Sequence, residues 1–173
     1  MKKQIIKLIK SGAIFIYPTD TVYGLGCNAL NKKSVERIKE IKARDKNKPL
    51  SLIAPSKAWI FKNLIVKKSL VNKYLPGKYT LILKKKNPNF LSYVSKTNTL
   101  GIRIPKHNFT KLIQKANVPF VTTSVNLSGE KPASDLNEIS KNIIEKVDII
   151  INSGKLSGKP STIILENGKK LKR

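Results

Sequence analysis

Apolar residues recur along this chain with two rhythms, and each rhythm predicts a different element. Residues 2–10 set Ile5, Ile6, Leu8 and Ile9 among lysines and predict a short amphipathic helix. Residues 13–17 run apolar from Ala13 through Ile16 and predict a buried strand. Residues 32–43 place Val35, Ile38 and Ile41 at three-residue spacing, a helix that Asn31 can cap. A short strand at 50–54 follows Pro49. Helices at 56–61 and 67–75 come next, the second stopped by Pro76-Gly77. Further strands are predicted at 79–84, 99–104, 119–122, 148–151 and 161–165, and helices at 109–116 and 136–145, the last capped by Asp135. Residues 84–89, KKKNPN, read as a polar loop and the most mobile segment. Strands and helices mix without strict alternation, so the expected class is α/β with a twisted, mixed sheet.

Length and composition narrow the function classes. A chain of 173 residues is expected to form one domain over 1–173 with a substantial core. It has no apolar run of membrane-spanning length, and its basic, interrupted start reads as a first helix, not a signal peptide. A single cysteine, Cys27, excludes an internal disulfide and fits a reducing cytoplasm. With His107 the only histidine, a Cys/His metal site is excluded. Cys27 reads as a small packed side chain, His107 as part of an exposed turn and Trp59 as a partly buried anchor. Ten acidic residues, none at glycosidase-like or metal-cage spacing, argue against a two-carboxylate hydrolase. The net charge of +25 has two readings. One is a surface for nucleic acid. The other is drift toward lysine, because Lys, Asn and Ile are what AT-rich codons supply. Only Arg37, Arg44, Arg103 and Arg173 are arginines, and arginine is the residue of bidentate nucleic-acid contacts.

Four polar clusters follow or flank predicted strands. YPTDTVYGLG at 17–26 packs Thr19, Asp20, Thr21 and Tyr23 between a proline and two glycines. A polar turn after a buried strand is where open α/β sheets hold ligands, and it is also an ordinary connection. Lys42 and Arg44 combine a point charge and a planar fork, suited to phosphate oxygens or simply to the end of a helix dipole. Thr122-Thr123-Ser124-Val125-Asn126 offers hydroxyls and an amide to a ligand or to a capped turn. SGKPST at 157–162 is a Gly/Pro loop without the P-loop pattern.

Taken in order, the stretches YPTDTVYGLG (17–26), IKARDKNKPL (41–50), LPGKYTLIL (75–83), GIRIP (101–105), TTSVNLSG (122–129) and PSTIIL (160–165) resemble the YrdC/TsaC family of threonylcarbamoyl-AMP synthases, in its short single-domain form. The resemblance implies a twisted α/β sheet flanked by helices, with a large basic concave cavity. It implies a nucleotidyltransferase that condenses L-threonine, bicarbonate or CO2 and ATP into threonylcarbamoyl-AMP and pyrophosphate. Partner proteins of a downstream transfer complex would then modify the tRNA adenosine beside the anticodon. By position, Lys42 and Arg44 match the family's Lys-x-Arg and would act catalytically on the triphosphate. Thr80, Ser124, Asn126 and Arg173 match ATP-side residues. Thr19, Tyr23, Arg103 and Ser161 match residues around threonine. Mg2+ would be held by phosphates and water, with no protein metal site.

The chain departs from the family pattern at Val125, where alanine is usual, and at Asp45 and Lys78, where proline is common. It also ends at Arg173, where the family often continues with Pro-Gly. The alternative reading is an RNA-binding or ribosome-associated protein without synthase activity, and weak tRNA or RNA binding is an expected partner interaction in either case. A hydrogenase-maturation module is a third reading, for which the accompanying cysteines and regions are missing from this sequence.

Overall fold

Phe15, Ile16 and Tyr17 form β1 (Phe15–Tyr17), and every residue of it is buried. Side chains alternate across a strand, so Ile14 and Ile16 enter one core while Phe15 and Tyr17 enter another. A short strand covered on both faces reads as a continuous apolar run, as residues 13–17 do. The chain is described by a computed structural model over residues 2–43, 45, 47–127 and 129–171.

The other strands are β2 (Gly24–Gly26), β3 (Ser51–Ile53), β4 (Leu64–Ile65), β5 (Tyr79–Lys85), β6 (Thr99–Arg103), β7 (Phe120–Ser124), β8 (Ile149–Ile150), β9 (Thr162–Ile164) and β10 (Lys170–Leu171). Among the described residues they join in one ten-stranded sheet of order β10-β9-β5-β6-β3-β7-β2-β1-β8, with β4 beside β5. The pairs β5/β9, β3/β6 and β1/β8 are parallel and the remaining pairs antiparallel. The helices are α1 (Lys2–Ser11), α2 (Lys32–Ile41), α3 (Lys57–Asn63), α4 (Lys68–Tyr74), α5 (Asn108–Ala116) and α6 (Lys141–Ile144). The expected mixed α/β class is observed.

Helices α1 and α5 share the smaller core, where Ile9, Phe109 and Ile113 meet Phe15, Tyr17 and Phe120. The Tyr17 and Phe109 rings stack with centroids 4.6 Å apart. The larger core joins Val35 and Ile38 of α2, Val71 of α4 and Ile143 of α6 to Leu52, Leu81, Ile102 and Val121 of the sheet. Asn31 caps α2 as expected, accepting from the Ser34 N–H at 3.2 Å.

Several local expectations change. Strand β2 lies inside the decapeptide and has two glycines in three residues, so it shows no strand pattern of its own. β4 and β10 are two-residue strands that exist through their neighbours' edges. The helix expected at 136–145 is divided. Asp135 does cap its first turn, Leu136–Glu138, but Ile139 is extended and α6 begins only after Ser140. Both Ile139 and Ile143 reach the larger core in this arrangement, and burial outweighs the few hydrogen bonds of a short helix. The polar loop expected at 84–89 loses its first two residues to β5. Lys85 is buried, with its ammonium donating to the carbonyls of Ser95 at 2.7 Å and Pro88 at 3.3 Å, and burial lowers its pKa. His107, expected in an exposed turn, is half-buried and caps α5, its Nδ1 accepting from the Phe109 N–H at 3.2 Å.

Two outcomes follow from these contacts. A methyl group on Gly26 would collide with the Val121 carbonyl oxygen, so Gly26→Ala should lower the unfolding free energy by about 1–3 kcal/mol, read from the urea midpoint. Burial lowers the His107 pKa below that of a free imidazole, against a smaller upward pull from Asp20. The folded protein therefore binds fewer protons at this group than the unfolded chain. The stabilisation should be complete above the unfolded pKa of about 6.5 and fade as pH falls toward the folded value. The single imidazole NMR signal should titrate below that reference, and a titration above it would contradict the capping geometry.

Candidate active site

The site begins where β1 ends. Pro18 has no N–H to continue a ladder, and the chain turns through residues 19–23 into β2. The turn is held by hydroxyls. Thr19 Oγ1 donates to the Val22 carbonyl at 2.8 Å and accepts from the Thr21 N–H at 3.1 Å. Its one hydroxyl hydrogen is thereby used, so Thr21 is the donor in the 2.8 Å contact between the two hydroxyls. The Tyr23 hydroxyl donates to the Gly154 carbonyl at 2.7 Å and accepts from the Ser153 N–H at 3.0 Å. It ties residues 152–154 to the site.

Strand pairing brings distant segments to this turn. Gly24 lies opposite Ser124, Ser51 opposite both Thr122 and Gly101, and Thr80 opposite Ile163. Together they enclose a cavity of about 520 Å3. Its walls come from Thr19, Val22, Tyr23 and Gly24, from Pro49-Leu50-Ser51, from Thr80 and Arg103, from Thr122, Thr123, Ser124 and Asn126, from Glu130 and Pro132, and from Pro160-Ser161. The hydroxyls of Thr80 and Ser161 are 2.8 Å apart. The Tyr17 hydroxyl reaches up from the smaller core and donates to Thr122 Oγ1 at 2.6 Å. Burial raises the Tyr17 pKa, so this group stays a donor.

Charge in the cavity is held at specific points. Arg103 Nη2 donates to Asp20 Oδ1 at 3.0 Å and to Thr21 Oγ1 at 3.2 Å. Asp20 Oδ2 accepts from the Lys106 N–H at 2.8 Å. Side-chain exposure is only 8% for Arg103 and 7% for Asp20, so water screens the pair poorly. On the opposite wall, Lys42 is buried at the end of α2. Its ammonium donates to the carbonyls of Ser124 at 2.5 Å and Asn126 at 2.6 Å, and to Asn126 Oδ1 at 3.2 Å. The Asn126 amide donates to the carbonyls of Leu127 and Glu130, closing the turn. Among the described lining residues, Arg103 is the cation and Glu130 the anion.

Seven of the residues expected from the sequence, Thr19, Tyr23, Thr80, Arg103, Ser124, Asn126 and Ser161, therefore line one cavity. Lys42 stands behind the Ser124–Asn126 wall. Arg44 and Arg173 lie outside the described residues. Pro49, Ser51, Thr122 and Glu130 line the cavity without having been singled out for a role. Thr122 is part of the hydroxyl run, but the contact that orients it comes from Tyr17 and has no local signature. Cys27 is buried and burial raises its pKa, which leaves a packed thiol and no thiolate nucleophile.

Residues 7–172 match the family model Sua5_yciO_yrdC, described as "Telomere recombination". The chain belongs to the Sua5/YciO/YrdC family. A Methanocaldococcus jannaschii family member named "Putative threonylcarbamoyl-AMP synthase" is 41% identical over 171 residues, which is 94% of this chain and 81% of that protein. Escherichia coli YciO, a family member named without an activity, is 32% identical over 93% of this chain and 81% of its own length. The crystal structure of E. coli YciO has a TM-score of 0.82 and covers 99% of this chain and 90% of that one, at 28% identity. Pyrococcus abyssi Sua5, crystallised with L-threonine, has a TM-score of 0.81 at 28% identity over 95% of this chain. This chain spans 50% of that longer Sua5 chain.

The Lys42 geometry gives this family member a measurable dependence. Lys42→Met should strip hydrogen bonds from two carbonyls at a buried site, at about 1–3 kcal/mol each, and loosen the Ser124–Asn126 wall. Chemical denaturation reads this loss, and wild-type stability in the variant would show that the wall stands without the ammonium.

Proposed function

We propose that this chain is a threonylcarbamoyl-AMP synthase that condenses L-threonine, bicarbonate or CO2 and ATP, releasing pyrophosphate. The observation that carries the proposal is the convergence of residues from the six separated stretches on one cavity. The synthase names of relatives in Methanocaldococcus and Pyrococcus support it, as does the threonine bound in the Pyrococcus structure.

The chemistry needs positioning more than a protein nucleophile. The threonine amine adds to CO2 and loses a proton, giving a carbamate. A carbamate oxygen attacks the α-phosphorus of ATP, the bond to the β-phosphate breaks, and pyrophosphate leaves. Thr19, Tyr23, Arg103 and Ser161 would hold the amino acid, with the arginine on its carboxylate. Thr80, Ser124 and Asn126 would face the nucleotide, with Lys42 beneath their wall and Arg44 and Arg173 contributing charge to the phosphates. The described lining holds one cation and one anion, so the basic character that the resemblance implies would have to come from those cations. The Thr80–Ser161 contact would be the seam between the two halves. Mg2+ would come with the ATP substrate, bound by phosphate oxygens and water. The product would pass to a complex that transfers the threonylcarbamoyl group to tRNA.

Purified protein given ATP, L-threonine and bicarbonate should release pyrophosphate only when all three are present. Release that persists without threonine would refute the proposal. Salt-sensitive RNA binding without any binding of ATP or threonine would favour an RNA-binding protein instead.

A further inference from the structure

We infer that Asp20 is the positioning residue of the amino-acid half of the cavity, and that its carboxylate keeps Arg103 selective for an amino acid over phosphate. This inference rests on the synthase reading above. Both Asp20 oxygens face donors: Oδ1 takes Arg103 Nη2 at 3.0 Å and Oδ2 takes the Lys106 N–H at 2.8 Å. The two donors approach different oxygens of the group, and only a carboxylate presents an acceptor at both positions on so short a side chain. An asparagine has one oxygen and would turn its NH2 against a donor. Thr21 Oγ1 is the second acceptor for the same guanidinium nitrogen, at 3.2 Å. The Thr21 carbonyl in turn accepts from Ser157 Oγ at 3.0 Å and from the Gly158 N–H at 3.2 Å. Asp20 and Thr21 thus join the β1–β2 turn, the turn after β6 and the loop leading to Ser161.

The pair also sets the charge of this end of the cavity. Arg103 beside Asp20 is a fixed dipole with little net charge. It suits a zwitterion, whose one carboxylate can meet the guanidinium. A polyanion gains less from a neutralised pair than from a bare cation. Without the Asp20 charge, Arg103 would become a net cation in a poorly screened site and would draw phosphate groups into the amino-acid half.

Steady-state pyrophosphate release by wild type, Asp20→Asn, Arg103→Ala and the double variant tests this. For Asp20→Asn, the threonine KM should rise about 10- to 100-fold, with a smaller change in kcat. The MgATP KM should not rise, and added inorganic phosphate should inhibit more strongly than in wild type. In the Arg103→Ala background, Asp20→Asn should add little, because Asp20 acts through Arg103. Thr21→Val, which removes the second acceptor, should give a weaker form of the same KM split, and it tests the idea if Asp20→Asn does not fold. An unchanged threonine KM, an equal rise for both substrates, or full additivity with Arg103→Ala would overturn the inference. An active wild type with an unaffected Asp20→Asn overturns this inference alone. A wild type without threonine-dependent release overturns the synthase reading and the inference with it.

Discussion

Strand β2 runs between the Tyr17 ring and the Val121 carbonyl, and neither flank leaves room for a side chain. A Cβ on Gly24 would stand 2.7 Å from Tyr17 Cζ, and one on Gly26 would strike the Val121 oxygen. Glycine in a strand interior normally weakens it. Here it permits the close approach that inserts β2 between β1 and β7. That insertion stations the Thr19–Tyr23 turn beside the Ser124–Asn126 turn. The cavity exists because these two polar turns, roughly a hundred residues apart in sequence, leave adjacent strands side by side.

The walls are then held by buried charge. Lys42 fastens one of them through main-chain carbonyls, and Asp20 fastens the other through Arg103 and the Lys106 N–H. A buried ion pair adds little net stability, but losing one partner costs about 3–5 kcal/mol. Such a pair is better suited to fixing a geometry than to strengthening a fold. The apolar cores already supply the driving force, with β1 closing one on each face. The polar groups determine where each wall stands.

This division fits a family whose members keep one fold while differing in length and in named activity. The chain aligns along most of YciO and along about half of the longer Pyrococcus Sua5. In the proposed reaction no side chain forms a covalent bond to substrate. Walls that hold three substrates and exclude water would supply most of the rate, which accords with a buried, protonated Cys27 and a His107 used as a helix cap.

Much of this was legible in the chain itself. The buried run at 13–17, the three-residue spacing of α2 and its Asn31 cap, and the Pro-Gly stop after α4 are local signals, set by burial periodicity and backbone chemistry. The ordered polar stretches also marked the residues that line the cavity. Other features had no local cause. β2 is a strand only because Tyr17 and Val121 flank it, and β4 and β10 only because an edge stands beside them. Lys85 reads as solvated from its neighbours, yet the Ser95 carbonyl draws it inside. Lys42 read as a phosphate cation or as a charge at the end of a helix dipole, and no local signal showed that its ammonium meets the Ser124 and Asn126 carbonyls. Asp20 read as a turn residue until β6 brought Arg103 to it across 83 positions. Sequence by itself determined which segments are apolar, which are capped and which carry hydroxyls and charge, because those properties act over a few residues. Only the tertiary structure decided which charge meets which acceptor, because that depends on strand order and register, which no single segment contains.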